Sequence, residues 1–266
     1  MNKLIENTAD VLKFIDEHSL YPDVALIDGA PTQPEITIGG RKVIAFCSNN
    51  YLGLAHDEEV KKVVKEAVNI YGMGSGGSRL VSGNTTVQED LEKVVAEFKH
   101  APAAITFATG YMANTGVIPA LFNTPRTSFT QYLKNFLYKE DAGAIFSDEL
   151  NHTSIIDGIK LAKVKKVIYK HKDIAHLEQE LKKHKSYPRK LIVTDGVFSM
   201  DGDIAPLKDI MVLAEKYGAA VMVDDAHATG ILGDKGKGTT EHFGLKKAPD
   251  IIMGTFTKVF GGIGGF

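Results

Sequence analysis

From about residue 104 onward the chain alternates two hydrophobic rhythms. Short, nearly unbroken apolar runs are followed by stretches whose apolar positions recur every third or fourth residue. The runs at 104–107, 144–147, 166–169, 191–194, 220–223 and 251–253 predict strands. The intervening stretches predict helices from Tyr111, from Ser154, over 174–183 with Ile174, Leu177 and Leu181 inward, and over 207–217. Such strand–helix alternation predicts an α/β fold, a mostly parallel sheet covered by helices on both faces. Upstream, Val11, Leu12 and Ile15 share one helical face, and a loop with Pro22, Pro31 and Pro34 follows. A strand at 35–38, a turn at Gly39-Gly40 and a strand at 43–48 make a hairpin, and 58–70 is helical. Thr86-Val87-Gln88-Glu89 has the form of a capping box, with Val87, Leu91, Val94, Val95 and Phe98 on the face of the helix it opens. Residues 123–141 are long for a connection in such a fold. Phe129, Tyr132, Leu133, Phe136 and Leu137 predict an inserted amphipathic helix there. The division expected is a helix-and-hairpin segment at 1–42 and a large domain at 43–266, with the sheet expected to continue past Gly264-Gly265-Phe266.

Composition narrows the class. A net charge of −2 over 266 residues, with no basic cluster, argues against a nucleic-acid or anionic-membrane surface. A single cysteine, Cys47, rules out an intramolecular disulfide within this sequence and fits a reducing, cytoplasmic setting. The opening MNKLIENTADVLKF resembles neither a signal nor a transit peptide, and no apolar run approaches the roughly 20 residues of a membrane span.

Candidate chemistry clusters where strands end. Gly72-Met73-Gly74-Ser75-Gly76-Gly77 matches G-x-G-x-x-G in form, but a helix precedes it and no helix follows directly. A flexible glycine loop, possible wall of a site, is therefore expected rather than a dinucleotide fingerprint. Thr109-Gly110-Tyr111 joins a strand to a helix and offers free N–H groups to a phosphate. Asp195-Gly196-Val197-Phe198-Ser199-Met200-Asp201-Gly202-Asp203 follows a strand, and Phe198 and Met200 in so polar a loop favour a crevice over a plain turn. Asp224-Asp225-Ala226-His227 ends an apolar strand. A buried carboxylate there suits holding a protonated ring nitrogen, with Asp224 in that role and Asp225 capping a neighbouring segment. Lys258 stands among apolar and small residues, a poor surface for an ammonium group and a good one for a Schiff base. Thr255 and Thr257 beside it offer hydroxyls to a phosphate. No metal-ligand spacing is visible, and His171, His176 and His184 are expected to face solvent.

Taken together, Phe46-Cys47-Ser48-Asn49-Asn50-Tyr51-Leu52-Gly53-Leu54, the loop 74–83, residues 109–114, Asp148-Glu149-Leu150-Asn151-His152, residues 194–203, 224–227 and 254–258 resemble the α-oxoamine synthases. These are pyridoxal-phosphate (PLP) enzymes of the aspartate-aminotransferase fold, fold type I, that condense an amino acid with an acyl-CoA or other acyl thioester, with loss of CO2. The likeness runs from about residue 43 to the end. It implies PLP as cofactor, Lys258 as the Schiff-base lysine and carrier of the Cα proton, and Asp224 on the ring nitrogen. His227 would bond the phenolic oxygen, and His152 would stack on the ring. Ser199 would contact the cofactor, Gly110 and Tyr111 would hold its phosphate with Thr255 and Thr257, and Asn49 would help bind the substrate carboxylate. It further implies a cytoplasmic homodimer acting on amino acid and acyl-CoA. Relatives carry a small domain after the lysine that this sequence lacks, with the arginine that clamps the substrate carboxylate, so the chain by itself is expected to be a poor catalyst. A non-catalytic partner subunit is the competing reading, and retention of Lys258, His152 and Asp224 counts against it.

Overall fold

A computed structural model describes residues 2–123 and 143–266, so the inserted helix expected at 123–141 lies, from residue 124 on, outside the described residues. Two compact units result, Met1–Ser48 and Asn49–Phe266. The first carries α1 (Lys3–Glu17), capped by the Asn2 side chain, and a sheet of β1 (Ile27–Asp28), β2 (Glu35–Ile38) and β3 (Arg41–Ile44). The second hairpin strand, expected at 43–48, is earlier and shorter. β2 is only four residues long, and the pairing ends at Glu35↔Ile44, so the chain beyond Ala45 has no ladder to join. No residue of α1 is buried, the Val11–Leu12 face included.

The second unit is built on β4 (Gly143–Asp148), β5 (Lys165–Tyr169), β6 (Arg189–Asp195), β7 (Ala220–Asp224) and β8 (Ile251–Met253). All are parallel, in the order β5-β4-β6-β7-β8. Alternation sorts their side chains onto two faces. Ala144, Phe146, Ile192, Val221 and Val223 pack with Leu177 and Leu181 of α7 (Ile174–Lys183) and Leu207, Ile210 and Leu213 of α8 (Leu207–Tyr217). On the other face Ile145, Leu191, Val193, Met222 and Met253 pack with Ala113 and Ile118 of α5 (Gly110–Ala120) and Ile155 and Ile159 of α6 (Thr153–Ala162). The central strands β4, β6 and β7 are shielded on both sides, which is why their runs read as continuously apolar, whereas the edge strand β5 leaves Lys165, Lys166 and Ile168 exposed.

α5 and α6 meet closely at Gly158, where a Cβ would lie 2.8 Å from the Asn114 carbonyl oxygen and 3.1 Å from Ile118 Cδ1. Gly158→Ala is accordingly expected to destabilise the unit by about 1–3 kcal/mol through overpacking, seen as a lower urea midpoint at unchanged slope.

Three departures from expectation have local causes. The strand expected at 104–107 is a single bridge, Phe107 to Gly265, with both hydrogen bonds to that one residue at 2.8 and 2.9 Å. α4 (Thr86–Lys99) is capped by Thr85, whose extended backbone and bond with Gln88 place the capping box one residue earlier. Along its expected apolar face only Val95 is buried; one turn on, Lys99 is buried as well. The rest of the second unit's front is α2 (Glu58–Tyr71) and α3 (Arg79–Ser82), joined by the glycine loop, with Gly72 as the C-cap of α2. Among the described residues no helix is long and apolar enough to cross a membrane.

Candidate active site

The sheet changes direction of growth between β4 and β6, and in open parallel sheets the crevice at the carboxyl ends near such a switch is where ligands sit. Strand register fixes what reaches it. Asp195 is opposite Asp224, and Asp224 is opposite Met253, so both acids leave adjacent strands at the same level. A cavity of about 240 Å³ opens there. Gly110, Tyr111, His152, Ser199, Asp224, His227, Thr255, Thr257 and Lys258, nine of the ten residues singled out from the sequence, line it together with Asp195 and Ser154. A larger hollow, about 400 Å³, lies between the end of α4, residues 101–105 and β8; its lining is mainly apolar, and its buried lysine, Lys99, is already paired.

At one end of the site α5 begins. Thr109 caps it through the Met112 N–H, leaving the N–H groups of Gly110 and Tyr111, first in the helix, without intrahelical acceptors. Glycine at 110 allows the close approach: a Cβ would lie 3.0–3.2 Å from Met253 Cε and the Thr255 side chain. The Thr255 hydroxyl donates its one proton to the Gly264 carbonyl at 2.8 Å and therefore accepts from the hydroxyl of the more exposed Thr257 at 2.9 Å.

Asp224 closes the deep end. It accepts from the Asn114 amide at 2.7 Å and from the Ala226 N–H at 3.0 Å, both neutral donors. Burial pushes its carboxyl up, against the pull of those donors and of Lys258 and His152. Asp195 accepts the His152 N–H at 2.8 Å, and burial with Asp224 alongside raises it to about 8. Lys258 is half-buried. Desolvation lowers its pKa while Asp224 and Asp195 hold it up, so a neutral, nucleophilic amine is accessible. His227 is lowered to about 4 by burial first and then by Lys258 and His152, and its ring is neutral at pH 7. Its Nδ1 lies 2.7 Å from the Tyr51 hydroxyl, which also bonds Asn49 Oδ1 at 3.1 Å. Asn49 does not line the cavity and reaches it only through Tyr51. His152 caps α6: Ser154 N–H donates to its Nδ1, leaving the proton of a neutral ring on Nε2.

Asp225 is fully buried and turned away from the cavity. It accepts from the Thr239 hydroxyl at 2.6 Å and the Lys99 ammonium at 3.1 Å, the latter a buried ion pair with α4. The expected capping of a neighbouring segment is present; the ion pair was not foreseen, since Lys99 looks like one more solvated lysine at a helix end. His171 and His184 are not solvent-facing. His171 is held between Asp148 and Asp203, and His184 packs edge-on against Phe146; His176 is half-buried, its Nδ1 accepting from the Lys170 N–H. Asp195 and Asn114 escaped selection as site residues. Asp195 carries the signal that picked out Asp224, an acid ending an apolar run, and Asn114 is an amide inside an otherwise apolar helix.

The donor set fits PLP. A helix N-terminus with hydroxyls beside it suits a phosphate. A desolvated carboxyl whose contacts are neutral suits a cationic ring nitrogen, and a partly desolvated lysine faces the same hollow.

Comparison with known proteins agrees with this reading. The sequence pattern of the family described as aminotransferase class I and II matches residues 41–266. The 8-amino-7-oxononanoate synthase of Thermosipho melanesiensis is 47% identical over 257 residues, 96% of this chain and 61% of its own length. The 8-amino-7-oxononanoate synthase 2 of Bacillus subtilis is 47% identical over 250 residues, 94% of this chain and 59% of its own. Among solved structures, Sphingomonas wittichii serine palmitoyltransferase superposes with a TM-score of 0.84 at 31% identity, covering 99% of this chain and 62% of that one. This chain thus spans about 61% of the length of such curated relatives.

Proposed function

The chain belongs to the aminotransferase class I and II family, and we propose that it forms the cofactor-binding part of a PLP-dependent α-oxoamine synthase. The observation carrying this reading is the convergence on one cavity of Lys258, the acids Asp195 and Asp224, and the open first turn of α5. PLP, when bound, supplies an electron sink for the pair released at the Cα of an amino acid. Lys258 is the nucleophile that attaches it and the group that takes the Cα proton. Asp224, ionised against a ring nitrogen, keeps that nitrogen protonated. His152 presents an exposed ring face, and His227, neutral, bonds a ring oxygen. Gly110, Tyr111, Thr255 and Thr257 hold the phosphate, and Ser199 contacts the cofactor. Asn49, outside the cavity, acts on it through Tyr51, which it holds against His227.

The curated 8-amino-7-oxononanoate synthases are 44–47% identical, the serine palmitoyltransferases of known structure 31–34% and the Francisella tularensis 8-amino-7-oxononanoate synthase 29%; the highest values favour the 8-amino-7-oxononanoate synthase reaction. Cutting that product between its oxo and amino carbons leaves alanine without its carboxyl group and a seven-carbon dicarboxylic acyl unit. The substrates proposed are therefore L-alanine and a pimeloyl thioester, with CO2 and thiol released. A cytoplasmic homodimer is the proposed working form. Leu80, Val81 and Met73, around the glycine loop and α3, are 100%, 88% and 90% exposed, an apolar patch of the kind association covers.

The test is exchange of substrate Cα protons for deuterium by the PLP-loaded chain, a partial reaction that this site alone can perform. L-alanine is expected to exchange at least tenfold faster than L-serine or glycine. Preference for L-serine would shift the reading to a serine palmitoyltransferase-like enzyme, and preference for glycine to a glycine C-acetyltransferase. Absence of exchange with every amino acid, despite bound PLP, would favour the non-catalytic subunit.

A further inference from the structure

His171 lies on the β5–α7 loop, outside the cavity, yet it touches both loops that build the cavity's near wall. Its Nδ1 is 2.9 Å from Asp148 Oδ1 and its Nε2 is 3.0 Å from Asp203 Oδ2. A neutral imidazole has one N–H and would aim the lone pair of its other nitrogen at a carboxylate at contact distance. Only the imidazolium satisfies both bonds. The loop is committed to the same partners elsewhere. Lys172 donates its N–H to Asp148 Oδ2 at 2.9 Å and its ammonium to Asp203 Oδ2 at 2.8 Å, with its backbone in the left-handed region at φ 55°. The His171 N–H donates to Glu149 Oε1 at 2.8 Å, and the ring stands edge-on to Phe198, centroids 4.4 Å apart. The charged groups facing His171 are therefore Asp148 from the end of β4, Glu149 from the loop after it, Asp203 from the β6–α8 loop, and Lys172 from its own.

Each acid holds a functional turn, Asp148 through its carboxylate and Asp203 through its backbone. Asp148 accepts the Leu150 N–H and opens the turn ending at His152. Asp203 closes the loop around Ser199, since its carbonyl accepts the Phe198 N–H at 3.0 Å while Gly202 N–H bonds the Phe198 carbonyl at 2.8 Å. We propose that His171 is a positioning residue of the cofactor site, an imidazolium clamp that ties the loop presenting His152 to the loop presenting Ser199. Its consequence for PLP rests on the function proposed above; the clamp itself does not.

Burial works against the charged ring, and Asp148 and Asp203 outweigh it, so its pKa is raised. The sign follows. The clamp is complete below the ordinary histidine value of about 6.5 and is lost as pH rises through the higher folded value.

Two measurements decide it. In the chain without cofactor, nitrogen-15 NMR of His171 should show both ring nitrogens protonated at pH 7. Exchange protection of the Phe198 and Gly202 amides should fall as the ring deprotonates, and should be low at every pH in His171→Gln. A singly protonated ring at pH 7, or unchanged protection in the variant, would overturn the proposal. For the cofactor, PLP affinity is measured from pH 6 to 9 in a Lys258→Ala background, which removes the lysine's own titration. Adding His171→Gln should weaken binding roughly five- to tenfold at pH 6.5, the scale of one ordinary net hydrogen bond, with the gap closing toward pH 9. Adding His171→Arg, charged throughout, should hold the tighter affinity to pH 9. Parallel profiles would refute the clamp's role at the site. Failure of the parent to bind PLP at any pH would refute the cofactor reading instead, and the NMR result would then decide the clamp alone.

Discussion

Borohydride reduction of the PLP-loaded chain is expected to fix one pyridoxyl group per chain, on Lys258, and Lys258→Ala to remove the tag and the visible absorbance of the lysine–cofactor link completely. Nucleophilic attack needs a neutral amine, and an exposed lysine near pKa 10.4 is about 99.9% protonated at pH 7. Lys258 differs because desolvation lowers its pKa, with Asp224 and Asp195 restoring only part of the loss. It also lines the cavity that holds the phosphate-ready turn of α5. Lys99, more deeply buried and likewise lowered by desolvation, is the natural competitor. Its ammonium is engaged by Asp225 at 3.1 Å and the Lys237 carbonyl at 2.8 Å, and it lies outside this cavity. Peptide mapping after reduction distinguishes the two. A tag on Lys99 or on a surface lysine would mean that the nucleophile is misplaced.

What could be read beforehand, and what could not, divides along a physical line. Leu207–Tyr217, Ile174–Lys183 and Ile251–Met253 fall where their patterns put them because each is set by local periodicity and burial on a known face. The residues gathered in the cavity were legible for a related reason. Parallel strands deliver their carboxyl ends to one edge, so an acid or lysine ending an apolar run is brought there by topology alone. Interactions between residues far apart in sequence were not legible. Lys99 and Asp225 are 126 positions apart, and His171 finds Asp203 across 32. Each looks like an ordinary solvated residue until the fold supplies its partner. Asn49 shows the converse: its motif is plain in sequence, but the side chain reaches the site only by way of Tyr51.

Asp224 and Asp225, adjacent in sequence and both buried, are expected to fail in opposite ways when converted to asparagine. Asp224→Asn should keep PLP bound, because the lysine link and the phosphate contacts remain, yet slow Cα deuterium exchange by about a hundredfold or more, the scale of losing one preorganised electrostatic stabiliser. The amide cannot hold a proton on the ring nitrogen, so negative charge developing at Cα loses its sink. Folding should change by no more than about 1 kcal/mol. The amide gives up one of two neutral-donor bonds, but there is no longer a carboxylate for burial to disfavour. The milder effect on the chemistry belongs at Asp225, which lies outside the cavity, but its cost falls on folding. Asp225→Asn strands the ammonium of Lys99, 3% exposed, opposite a neutral group, and weakens the grip on Thr239. Removing one partner of a buried pair costs about 3–5 kcal/mol. The loss should show as a lower urea midpoint and should be partly recovered in Lys99→Met/Asp225→Asn, where no buried charge is left unpaired. Exchange per folded, PLP-bound chain should stay within a few-fold of the parent. If Asp225→Asn instead cost exchange and spared stability while Asp224→Asn did the reverse, the ring nitrogen would belong to Asp225, and the site would have to be rebuilt around the Lys99 side of β7.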